Sequence, residues 1–174
     1  MAARKTLARR KAIELLAAAK VTLPPVPVEQ LANFAGAVVH YEPFSGELSG
    51  MVHRESKSRA VIGVNALHSP TRQRFTIAHE LAHLILHQDE EFHVDENSPI
   101  RFRSPLSGAA VDSDEIEANQ FAAELLMPVS LLNGEIEKIP RDTGTEEAIA
   151  KLAEVFDVSE QAMTFRLAGL GILR

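Results

Sequence analysis

Cysteine is absent from all 174 residues. That excludes a disulfide framework and any thiolate metal site, so a metal held by this chain must be held by histidine and carboxylate. It also fits a reducing compartment. No apolar run is long enough to span a bilayer as a helix. Cations are in deficit, with 18 Lys and Arg against 24 Asp and Glu, a net charge of −6. A general nucleic-acid binder would carry a basic face, and this balance disfavours one. Internal repeats and low-complexity tracts are missing as well. The 45% hydrophobic content therefore reads as one domain, with or without a small appendage, around a sizeable core.

The single basic stretch is residues 1–20, MAARKTLARRKAIELLAAAK. It superficially resembles a signal peptide, but Glu14 and Lys20 interrupt the apolar portion and no small-residue cleavage site follows. An amphipathic helix with a solvated cationic face is the better reading, and the expected setting is cytoplasmic, with no membrane partner.

Pro24, Pro25 and Pro27 end that helix and enforce an extended turn. Pro27 suits the first turn of a short helix, VEQLANFAG, which Gly36 stops. Three β-prone runs follow, AVVHYE, LSGMVHR and RAVIGVN, which predict a small, largely antiparallel sheet. Ser69-Pro70 or Thr71 opens the next helix. Residues 88–113 are polar and predict a long loop with at most fragments of strand, a candidate gate from its position alone. Helical patterns resume at Asp114 and again in PVSLLNGEIEKI. Two more are joined at Phe156-Asp157-Val158, with Ser159 as the N-cap of the last.

Within the apolar segment FTIAHELAHLILH, free of Gly and Pro, lies His79-Glu80-Leu81-Ala82-His83. On a helix the two histidines stand about 40° apart around the axis and one turn along it, so both imidazoles can reach one cation. Zn²⁺ is the usual occupant of such a pair, with Mn²⁺ or Fe²⁺ as alternatives. Glu80 is then placed to take a proton from water activated by the metal. Shuffles of this composition would show the motif in about 3 cases per hundred, so it needs company.

A catalytic zinc site takes three protein ligands and keeps one position open. Glu115 is the best third ligand. It shares a helix face with Asn119, which could buttress a ligand histidine. Glu117 is the rival, projecting about 200° away on the same helix. His87 continues the 79, 83 series, but three ligands from one straight helix would close a tetrahedral site poorly, so it reads as structural or as support for a ligand. The third histidine of the longer metalloprotease pattern would need a preceding Gly that is absent. His40, His53, His68 and His93 have no marking spacing and read as surface or satisfied residues. Tyr41, the only tyrosine, is a poor candidate for stabilising an oxyanion. The strand RAVIGVN is the expected edge along which an extended substrate would add.

With HELAH and EIEANQFAAELLMP, the chain resembles the ImmA/IrrE family of metallo-endopeptidases. The likeness is weaker in RAVIGVN and in FDVSEQAMTFRLAGLGI. The resemblance implies an α+β fold with a zincin-like minimal metallopeptidase core at 1–135 and a helix-turn-helix-like C-terminal element at 136–174. It implies His79, His83 and Glu115 as metal ligands and Glu80 as the catalytic residue. It further implies a zinc-dependent endopeptidase that cleaves a helix-turn-helix repressor or antitoxin, releasing a stress, phage or mobile-element response. Two other readings stand beside it. One is a DNA-binding regulator using the C-terminal helices, disfavoured because SEQAMTFRLAGLG offers a single cation, Arg166. The other is a catalytically silent, metal-containing partner in a toxin–antitoxin type system.

Overall fold

Proline and glycine set the first boundaries of the computed structural model, which describes residues 4–44, 48–56, 59–87, 92–95 and 113–173. Helix α1 (Lys5–Ala18) is followed by α2 (Val28–Phe34), capped at its start by Pro27. Gly36, at φ 86°, takes the left-handed conformation just past the end of α2, and the chain turns directly into β1 (Ala37–Glu42). β2 (Gly50–Ser56) and β3 (Arg59–Asn65) come next. Ser69 and Pro70 then open α3 (Pro70–Leu86), with proline at its first turn, where its missing N–H costs nothing. β4 (Phe92–Asp95) is a strand fragment inside the expected loop. The rest of that loop, and with it the suggested gate, lies outside the described residues.

The sheet order is β1-β3-β2-β4. β2 runs antiparallel to both β3 and β4, whereas β1 runs parallel to β3, so the sheet is mixed. The expectation that RAVIGVN would be the substrate's edge is overturned, because β3 is paired along both sides. The physical reason was present in its composition. A continuous apolar run belongs to a strand covered on both faces, and Ile62, Gly63, Val64 and Asn65 are all buried. Among the described residues the outer strands are β1 and β4.

Helix α3 lies against β2 and β3 and packs on α4 (Ser113–Leu126), which also receives α1. Gly50 is where β2 crosses α3 most closely. A Cβ there would stand 2.3 Å from Cγ2 of Thr76 and 3.5 Å from Cγ of Glu80. Only a glycine lets the sheet settle over that part of the helix. One buried cluster continues from Ala8 and Ala12 of α1 through Phe121 and Leu125 of α4. It extends to Phe156 of α6 (Thr145–Phe156) and Met163 of α7 (Glu160–Gly169), with α5 (Val129–Ile136) adding Leu132. Asp157, at φ 52°, turns the chain between α6 and α7, and Ser159 caps α7 by accepting from the Ala162 N–H at 3.1 Å.

Candidate metal centre

The buried face of α3 includes Phe75, Thr76, Ile77, Ala78, His79, Glu80, Leu81, Ala82, His83 and Leu84. Two imidazoles and a carboxylate within such a stretch need polar partners, since an unpaired buried polar group is costly. α4 supplies them to the two imidazoles from its first turns. Nε2 of His79 is 3.2 Å from Oε2 of Glu115, and Nε2 of His83 is 3.2 Å from Oε1 of the same carboxylate. The two Nε2 atoms are themselves 3.2 Å apart. A tetrahedral ion with bonds of about 2.0–2.1 Å holds its ligand atoms about 3.3 Å apart. The two imidazole nitrogens stand at about that separation and each meets one oxygen of the same carboxylate, and two imidazoles with a carboxylate are a donor set that suits a divalent cation.

Glu117 belongs to a different group of side chains. Both of its oxygens accept hydrogen bonds from Arg4, and its Oε2 lies 3.3 Å from Nε2 of His87. The structure thus brings His79, His83 and Glu115 together and sets Glu117 against His87 and Arg4 instead. Glu80 lies next to His79, fully buried beneath Gly50, and outside the converging ligand atoms.

Two positions differ from expectation. Among the described residues no hydrogen bond joins Asn119 to His79 or His83; the neighbour of His83 is instead His87, whose Nδ1 is 3.1 Å from Nδ1 of His83. His87 is buried, as a support for a ligand would be. His93, read as unremarkable, joins His79, His83 and Glu115 in one group of ligand-type atoms within 4.8 Å of one another. It stacks on His83 with ring centroids 3.6 Å apart and places Nε2 3.4 Å from Oε1 of Glu115. The only local signal was FHVD, a short β-prone run in polar surroundings. Pairing of β4 with β2, which aligns His93 with Val52, is a tertiary event that spacing does not encode. His40 and His53 are exposed, and the hydroxyl of Tyr41 is bonded to the Glu29 carboxylate on α2.

Burial pushes the His83 imidazole down to about 4, against the opposing pull of Glu115, so the ring stays neutral and its nitrogen is available to a metal. Burial pushes the Glu115 carboxyl up, but hydrogen bonds from His79, His83 and His93 outweigh it and hold the group well below the usual carboxylate range. Glu117 shows the same competition. Burial raises it, Arg4 outweighs burial, and the result is about 2.

The family model described as the IrrE N-terminal-like domain (Peptidase_M78) matches residues 32–168. Two proteins, each named radiation response metalloprotease IrrE, are similar to the chain. The one from Deinococcus deserti is 34% identical over 109 residues, covering 62% of this chain and 36% of that protein. The one from Deinococcus radiodurans is 32% identical over 108 residues, covering 62% of this chain and 30% of its own length. The match thus spans about a third of the length of these relatives. Among solved structures, a Mycobacterium tuberculosis transcriptional regulator superposes with a TM-score of 0.59 over 92% of this chain and 46% of that one, at 17% identity. That likeness concerns the fold alone.

Proposed function

The chain belongs to the IrrE N-terminal-like family, and from that premise we propose that it is a zinc-dependent endopeptidase whose metal ligands are His79, His83 and Glu115. The observation that carries the reading is the convergence of two imidazole nitrogens, 3.2 Å apart, on the two oxygens of one carboxylate, each contact also 3.2 Å, drawn from two turns of α3 and one of α4. Zn²⁺ is the first choice for two imidazoles and one carboxylate, with Mn²⁺ or Fe²⁺ as alternatives. When bound, such a cation lowers the pKa of water at its open position and polarises a scissile carbonyl.

The chain's own residues do the rest. Glu80, adjacent to His79, takes the proton from the attacking water and returns it to the leaving amine. An extended substrate would lie along β4 rather than β3, because β4 has one partner strand among the described residues and carries His93 beside the ligand group. His93 there is placed to touch the carbonyl oxygen of a bound peptide or to give the metal a further nitrogen.

The finer fold reading belongs with this proposal. A zincin-like core at 1–135 is supported by α3 lying against the sheet with α4 packed on it. A helix-turn-helix-like element at 136–174 is supported by the tight turn at Asp157 between α6 and α7. Its role is docking rather than DNA contact, since Arg166, the one cation of α7, is buried against Glu124 at 2.6 Å. The proposed substrate is a helix-turn-helix repressor or antitoxin, and the proposed outcome is release of a stress, phage or mobile-element response. The relatives' name, radiation response metalloprotease, is in keeping with that. A cytoplasmic setting fits the absence of cysteine, and no helix among the described residues is long and apolar enough to cross a membrane.

The decisive test is zinc content together with cleavage of a candidate repressor by wild type and by Glu80→Gln. The variant should keep its zinc and lose about 10²–10⁴-fold in hydrolysis. Full proteolysis by a zinc-loaded Glu80→Gln would sink the mechanism.

A further inference from the structure

His87 and Glu117 are buried polar residues that no step of the proposed hydrolysis uses. His87 lies one turn beyond His83, with Nδ1 facing Nδ1 of His83 at 3.1 Å. Its other nitrogen, Nε2, is 3.3 Å from Oε2 of Glu117 and 3.6 Å from Oδ1 of Asp114. Glu117 accepts three hydrogen bonds from one residue. The Arg4 backbone N–H reaches Oε1 at 2.6 Å, Nε reaches Oε1 at 3.1 Å and Nη2 reaches Oε2 at 2.9 Å. A continuous row of polar atoms therefore runs from a candidate ligand to the N-terminal segment. Arg4 stands 113 residues from Glu117 in sequence and ahead of the family span 32–168.

The proton positions along this row follow from one requirement. An imidazole that gives Nε2 to a cation carries its proton on Nδ1. His83 turns Nε2 toward His79 and Glu115, so its N–H points at His87, whose Nδ1 must accept. The His87 proton then sits on Nε2, which needs an acceptor in front of it. Glu117 is that acceptor, and Arg4 occupies it with donors only, so it has no proton to offer back. Each link thus admits a single hydrogen-bond direction.

We propose that Arg4, Glu117 and His87 are positioning residues that fix the tautomer and ring orientation of His83 toward a bound cation; this rests on the metal-centre reading above. The same atoms, with Asp114, could be taken for a second cation site. The Arg4 guanidinium argues against that, because it already supplies the positive charge that the Glu117 carboxylate requires. Outer partners of ligand histidines typically change metal affinity about 10–100-fold.

The test is zinc affinity of the full chain, read by competition with a chromophoric chelator, with the Co²⁺ absorption bands as the signature of ligand geometry. Glu117→Gln and His87→Ala should each bind one zinc ion about 10–100-fold more weakly than wild type and shift the Co²⁺ bands. Arg4→Ala should lose less, because its backbone N–H remains, and should add nothing in the Glu117→Gln background. Wild-type affinity and unaltered Co²⁺ bands in both Glu117→Gln and His87→Ala would overturn the positioning role and leave the metal centre standing. A wild-type chain that binds no zinc would overturn both readings. Loss of a second zinc equivalent with the first unaffected would overturn the proposal in favour of a second site. Should the buried substitutions prevent folding, Arg4→Ala carries the test, since its side chain is half exposed; wild-type affinity and Co²⁺ bands there would overturn the proposal.

Discussion

Helix α4 carries buried or half-buried negative charge toward both of its ends, and the two ends are balanced differently. Toward the C-terminus, Oε2 of Glu124 lies 2.6 Å from Nη2 of Arg166, and both side chains are only 3% exposed. Arg166 also donates from Nε to the Met127 carbonyl at 3.0 Å, and Arg9 approaches the same carboxylate at 3.8 Å. Near the N-terminus, Glu115 is one-third exposed and faces imidazoles at 3.2, 3.2 and 3.4 Å, among them His83, which burial keeps neutral. The first end has its counter-charge built into the chain. The second sets an anion among imidazoles, of which His83 is held neutral by burial, in the donor set proposed to take a cation from solution. A fixed pair locks α7 onto α4, whereas an open donor set on α3 and α4 can be filled and can act.

The strongest way to break this comparison is Arg166→Leu. Removing one member of a buried pair typically costs about 3–5 kcal/mol, and urea unfolding should register a loss of that order while zinc stoichiometry stays the same. If zinc were lost together with stability, the two ends would not be independent. Next in size is the metal itself. Zinc at about 100 times its Kd should stabilise the wild type by about 3 kcal/mol, and Arg166→Leu should keep this increment. Glu115→Ala or His79→Ala should erase it; an increment surviving in both would remove these residues from the ligand set.

Gly50→Ala should follow, at about 1–3 kcal/mol, because its Cβ would meet Thr76 at 2.3 Å. Since Glu80 lies just beyond, proteolysis should fall further than the stability loss explains. A variant with normal stability and rate would show that β2 can lift off α3 freely.

A further effect is in pH. The His83 value of about 4 in the folded chain is below the ordinary 6.5. Above pH 6.5 both folded and unfolded chains carry the ring neutral. As pH falls from 6.5 toward about 4 the unfolded chain takes the proton first, so the metal-free protein loses stability progressively across that window. Glu117 adds a separate loss only as pH falls from 4.5 toward about 2. The urea midpoint of the metal-free chain should therefore decline between pH 6.5 and 4 in wild type and less so in His83→Gln; equal slopes would assign the decline to other groups.

Much of this was legible along the chain because it is local. The i, i+4 spacing of His79 and His83 needs nothing but a helix, and Pro70, Gly36 and Ser159 mark element ends through their own backbone chemistry. That Glu115 and Glu117 would go to different neighbours was legible too, since residues two apart on a helix point about 200° apart and the two carboxylates join different groups of side chains. Less could be read about strand neighbours. RAVIGVN was legible as a strand but was expected at an edge, and its position between β1 and β2 depends on pairings that no local pattern specifies. Asn119 was a reasonable support for a ligand on helical spacing alone, but the contact went to His87, which lies closer in space.

By itself, then, the sequence determined which residues could offer metal-ligand atoms from α3 and α4, because periodicity and side-chain chemistry are properties of neighbours. Only the tertiary structure decided that His93 joins them, that Arg4 secures Glu117, and that Arg166 is buried against Glu124 rather than free for a phosphate. Those outcomes turn on contacts between residues tens of positions apart, made where packing of the helices and sheet forces buried charges and polar atoms to find partners.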